Sequence, residues 1–211
     1  MQHRDNSVRL VTRAAALALA MLAAAGHSAA EAHHPMGGAT PTTLMHGLLS
    51  GLGHPLIGID HLAFIVAMGV AVGAAGLSLA MPVLFVAASA MGVALHVNGM
   101  TLPAAELSIA ASVLLIGAAV AWGGAVPAAS WAALFAIAGL FHGYAFGEAV
   151  VGAERTPLAA YLVGLVVMQT ALAIATALVI RRGGTALTPQ LAGAAVAGVG
   201  IAALVGQIVP K

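Results

Sequence analysis

The chain has 211 residues, 62% of them apolar and only 6% charged, with a formal charge of +1 and a mean hydropathy of +1.06. A soluble domain carries about 25% charged residues, so most of this chain has lipid as its natural solvent and reads as an all-α, polytopic membrane protein. Its seven basic residues form no phosphate-binding patch, which excludes nucleic acid, and the lack of cysteine excludes disulfides and thiolate ligands.

Residues 1–32 carry Arg4, Arg9 and Arg13, then an apolar run from Ala14 to Ala25, then small residues around Ser28, Ala30 and Ala32. This is the pattern of a cleaved signal peptide, because about twelve apolar residues are too few to cross a hydrocarbon core of about 30 Å. Cleavage leaves the mature N-terminus outside. Residues 33–43 are short, polar and Pro/Gly-containing, a flexible extracytoplasmic lead. Residues 44–211 form the transmembrane domain.

As one unbroken helix, residues 44–76 would be about 50 Å long, more than one span requires. A break is therefore expected at Gly53-His54-Pro55, with 44–52 as an interfacial or re-entrant helix and 56–77 as the first span. Five more apolar runs follow at about 79–99, 107–123, 130–147, 158–180 and 190–209, each near the twenty residues of a span, giving six transmembrane helices. Few aromatic residues and 26 glycines predict helices packed through small side chains, with Gly69 and Gly73, and Gly139, Gly143 and Gly147, recurring at intervals of four. With the N-terminus outside, Arg181-Arg182 falls in a cytoplasmic loop, as the positive-inside rule asks of an inner-membrane protein.

This topology gathers the ionisable residues of the mature chain on one membrane face. His54, Asp60 and His61 lie at the outer start of span one, and His96 and Asn98 at the outer end of span two. Glu106 begins span three, and His142 and Glu148 end span four. Each has a plainer role open to it. Asp60 and Glu106 suit a helix N-terminus as carboxylates, and His96 and Asn98 suit interhelical hydrogen bonding. Ionisable groups at membrane depth are costly, by about 2.5 to 3.5 kcal/mol each on insertion scales, and four helices converging on one face point to a shared cation. A straight helix would hold His54 and His61 about 10 Å apart. Both reach one ion only if the backbone kinks near Pro55 or Gly58, or else each holds a successive position along a path. Imidazole with carboxylate and no sulfur suits nickel, cobalt or zinc.

The segments HPLIGIDH at 54–61 and FHGYAFGE at 141–148 resemble the HupE/UreJ family of hydrogenase and urease accessory permeases, associated with nickel or cobalt uptake. The resemblance runs over the whole mature chain. It implies His54, Asp60, His61, His142 and Glu148 as metal-handling positions; His96, at the outer end of span two, is expected beside them as a flanking ligand. Many relatives carry further histidines in the second motif, where this chain has Tyr144 and Phe146, and some place the acid one residue later; Glu154 is then a secondary candidate.

The function expected is a permease, not an enzyme, that admits a divalent metal from the outer face. It has no prosthetic group, and its partners are the metal ion and the bilayer, with a homo-oligomer allowed. No phosphate-binding loop is present, and the single lysine is Lys211. The rivals are an intramembrane zinc hydrolase, a haem carrier using His96 and His142, and a metal sensor or store without transport.

Overall fold

A computed structural model of the chain describes residues 39–183 and 188–209. The expected signal peptide and most of the expected lead fall outside the described residues. Among the described residues the protein is all-helical, with α1 Leu44–Ile57, α2 Ile59–Ala74, α3 Pro82–Val97, α4 Ala105–Trp122, α5 Ala128–Glu148, α6 Arg155–Arg182 and α7 Pro189–Ile208. Four of these, α4 to α7, are long and apolar enough to cross a membrane, and the bent pair α1–α2 makes five if it is one span. Helix α3 is apolar but has only 16 residues. The chain is a multi-pass membrane protein.

Local chemistry sets the helix ends. Thr43 caps α1 by accepting from the His46 N–H at 3.1 Å. Pro82 and Pro189 open α3 and α7, where a missing N–H costs nothing. Gly183 closes α6 in the left-handed conformation that a side chain disfavours.

The expected break at Gly53-His54-Pro55 is not where the chain turns. Helix α1 runs through Pro55 to Ile57, and the break falls at Gly58, which takes extended angles, with α1 and α2 bent by 79°. Pro55 lies in the last turn, so its lost hydrogen bond and the clash of its ring with the preceding turn distort only the helix end.

Helix α2 is apolar on every side after His61, which is the mark of a helix enclosed by others. It packs on α6, α4 and α7, and three close pairs surround it: α1 with α6, α3 with α5, and α4 with α7. Small residues make the close approach. A Cβ added at Gly69 would lie 2.6 Å from the Ala173 carbonyl oxygen, and one at Gly73 2.7 Å from that of Ala177. On α5, Gly139, Gly143 and Gly147 lie against Phe85, Ser89 and His96 of α3. The order of these contacts makes α2 parallel to α6 and α3 parallel to α5, while Gly117 and Gly193 bring α4 and α7 together antiparallel. The ends of α2, α4 and α6 and the starts of α5 and α7 therefore meet at one end of the bundle. A cavity of about 460 Å³ opens there, lined in part by Ala74, Trp131, Arg181 and Gln190.

Gly69→Ala is expected to lower the thermal unfolding midpoint of the detergent-purified protein, because an overpacked contact costs about 1–3 kcal/mol. Gly206→Ala, where an added Cβ meets nothing within 4 Å, is the control. Equal midpoints would show that the α2–α6 contact does not need its glycine.

Candidate functional site

The bend at Gly58 decides what the first motif does. His54 lies in the last turn of α1 and His61 in the first turn of α2. Across the bend their ring centroids are 6.3 Å apart, with the planes at 87°. His142 of α5 joins them, its Nδ1 2.7 Å from Nδ1 of His61. His61 and His142 are fully buried and His54 is 1% exposed.

The protons on these rings can be assigned from the groups that hold them. The Tyr161 hydroxyl on α6 donates to the Phe146 carbonyl oxygen at 2.7 Å and lies 2.7 Å from His54 Nδ1. A hydroxyl has one proton, so towards His54 it accepts, and His54 carries its proton on Nδ1. The Ser112 hydroxyl on α4 likewise donates to the Ile109 carbonyl oxygen at 2.7 Å, so it accepts from His142 Nε2 at 3.0 Å. In the singly protonated ring, His142 Nδ1 then bears the lone pair, and His61 Nδ1–H donates to it. The consequence is the same for His54 and His61: each holds a proton on Nδ1 and a lone pair on Nε2, the form in which imidazole binds a metal. His142 has both nitrogens engaged and orients His61.

Aromatic rings close the cluster off from water. Phe146 packs on His61 at 4.3 Å and on His54 at 4.9 Å between centroids, while Phe64 and Phe85 face His142 at 4.9 and 5.7 Å. Phe64, Phe85 and Phe146 are fully buried. In such a low-dielectric shell each hydrogen bond is stronger than in water, and each loss is more costly.

Asp60, half-buried, accepts from the His61 N–H at 2.8 Å, and so serves the start of α2 as a helix-terminal carboxylate does. His96, also half-buried, lies beside the α5 end: its Nδ1 donates to the Tyr144 carbonyl oxygen at 2.7 Å, which leaves its lone pair on Nε2. Glu148 is exposed at the C-terminus of α5, a position that the helix dipole disfavours for an acid. Asn98 is exposed and donates to the Ala94 carbonyl oxygen of its own helix at 2.7 Å. Glu106 and Glu154 are exposed at the starts of α4 and α6. Among the described residues, no group of three His, Asp or Glu side chains is placed to hold one metal ion.

Sequence reasoning passed over Tyr161 and Ser112, which orient the histidines, and over the buried pair Ser89 and Gln169. For the serines and the glutamine the signal was there. Ser89, Ser112 and Gln169 are isolated polar residues deep inside apolar runs, and a polar group in a span is costly unless it has a partner.

Among known families, the model described as HupE / UreJ protein matches residues 15–203. The chain belongs to the HupE/UreJ family. No curated protein and no solved structure matches it. Both motifs on which the resemblance rests fall within the matched residues, and in this HupE/UreJ protein they meet at the His61–His142 contact.

Tyr161→Phe removes one hydroxyl and strands two buried groups, His54 Nδ1–H and the Phe146 carbonyl. Leaving buried polar groups unsatisfied costs about 1–3 kcal/mol each. A clear drop in thermal midpoint is expected by scanning fluorimetry, with helix content unchanged by circular dichroism. An unaltered midpoint would mean that this hydroxyl does not hold His54.

Proposed function

We propose that this HupE/UreJ protein is a permease that takes up nickel or cobalt from the extracytoplasmic face. The observation that carries the reading is the pair of imidazoles on either side of the α1–α2 bend, His54 and His61, each with its Nε2 lone pair inside the bundle. Nitrogen and oxygen donors without sulfur suit borderline divalent ions. Because no three candidate ligands among the described residues surround one point, they act as successive holds rather than as a cage. Asp60, His96 and Glu148 collect the ion near the bundle end, His61 and His54 receive it, and His142 steadies His61. Weak, sequential binding is what conduction requires, since a deep cage would retain the ion.

A zinc hydrolase needs three protein ligands on one ion, an arrangement not present among the described residues. A haem carrier would need His142 as an axial ligand, and both of its nitrogens are engaged. Two charges moving down about 100 mV of inside-negative potential gain about 4.6 kcal/mol, so uptake of a scarce ion needs no ATP.

In the membrane the reading is six crossings. The four long helices, the bent pair as one span and the short α3, about 24 Å long, make up that number. The histidine end faces outward, the Arg181 end faces the cytoplasm, and the first 32 residues are removed as a signal peptide. A cysteine at position 184 is then shielded from impermeant thiol reagents in intact cells, and one at position 152 reacts. The reverse pattern would turn the bundle over and put the histidines on the wrong side.

For transport itself, Asp60→Asn, His61→Ala and His142→Ala are each expected to lower initial nickel and cobalt uptake at least about tenfold at equal membrane abundance. The His61→Ala/His142→Ala double variant should be no worse than the poorer single, as for residues acting as one unit. Arg181→Ala, at the far end, serves as the control for general damage. Normal uptake by both Asp60→Asn and His61→Ala would refute the permease reading, and binding without vesicle uptake would point to a metal store.

A further inference from the structure

Beyond the histidine cluster, a second polar pair lies in the centre of the bundle. Gln169 of α6 and Ser89 of α3 are both fully buried, and Gln169 Nε2 donates to Ser89 Oγ at 3.0 Å. The other end of the amide, Oε1, is buried and has no hydrogen-bond partner among the described residues. In the orientation observed the amide leaves this acceptor open. A buried acceptor of this kind marks the place of a water or an ion.

Its position is what gives it a role. Gly143, next to His142, lies with its Cα against the Ser89 backbone, and Phe85, one turn before Ser89, faces the His142 ring at 5.7 Å. The Ser89–Gln169 pair thus begins where the histidine cluster stops. On α6, Gln169 is eight residues beyond Tyr161, about 12 Å of helix rise towards the end that holds the Arg181 cavity.

We propose that Gln169 Oε1, its amide positioned by the bond from Nε2 to Ser89 Oγ, is an inner transfer site for the partly hydrated divalent cation. The inference rests on the permease reading. A neutral amide oxygen holds a borderline divalent ion more loosely than imidazole does. An ion leaving His61 and His54 is steadied there without being trapped, and retained waters complete its coordination. The site sets the rate of passage, while capture stays with the histidines.

The test is nickel uptake into proteoliposomes of the full-length protein under an inside-negative potential. Gln169→Leu is expected to lower the maximal rate about tenfold while the half-saturating nickel concentration moves less than about twofold. Ser89→Ala cuts the same interhelical bond but keeps the amide oxygen, and should keep at least about half the rate. Gln169→Glu, which keeps both shape and an oxygen, should do the same and guards against a fold lost in the leucine variant. A native rate in Gln169→Leu overturns the inference. So does a Ser89→Ala loss as deep as that of Gln169→Leu, since the pair would then be only a clasp between helices, or failure of Gln169→Glu to transport. His61→Ala separates the two levels: if it is inactive and Gln169→Leu is native, only the inner site is refuted, and if it too is native, the permease reading fails with it.

Discussion

An imidazole withdrawn from water must bring partners for its polar atoms, and in this bundle that requirement ties the helices together. His54 on α1 reaches Tyr161 on α6, which in turn reaches the backbone of α5 at Phe146. His61 on α2 reaches His142 on α5, which reaches Ser112 on α4. Five helices are thus held by two short hydrogen-bonded chains, each ending on a backbone carbonyl that can only accept. Those fixed ends propagate inward and set the proton on every ring. Structural satisfaction and the ligand form of His54 and His61 are outcomes of the same bonds.

Such chains need helix axes close enough for short side chains to meet, and the glycine contacts supply that. Gly143 lets the backbones of α5 and α3 touch beside His142, and Gly69 and Gly73 do the same for α2 and α6. In lipid there is no hydrophobic force to press helices together, so close van der Waals packing carries much of the association. The small faces and the buried polar cluster support each other. Without close packing the hydrogen bonds would lengthen, and without the bonds the parallel pairs would lack a fixed register.

Much of this was legible in the residues. Hydropathy located the apolar runs, and α4 to α7 begin and end within about three residues of expectation. The spacing of His54 and His61 showed that only a kink could bring them together. The position of that kink was less clear, because Pro55 and Gly58 both punctuate a helix and sequence alone favoured the proline; the chain tolerates Pro55 in a last turn and bends at Gly58. The convergence of polar residues was legible as a common end of the bundle but not as a set of contacts. Asp60 turns to its own helix start and His96 to a carbonyl of α5, choices that depend on side-chain direction and not on which membrane face a residue occupies. Tyr161 escaped notice because its role is with a residue 107 positions away.

Positions 144 and 146 of the second motif share an unexpected property in the structure. Tyr144 receives the His96 proton on its carbonyl oxygen, and Phe146 receives that of Tyr161 in the same way. At both, the anchoring atom belongs to the main chain. A different side chain at either site would therefore keep the attachments of His96 and His54, although the Phe146 ring would no longer pack on His54 and His61. The tether and the ring that lines the cluster are thus separable: one is fixed by the main chain, the other by the side chain that stands there.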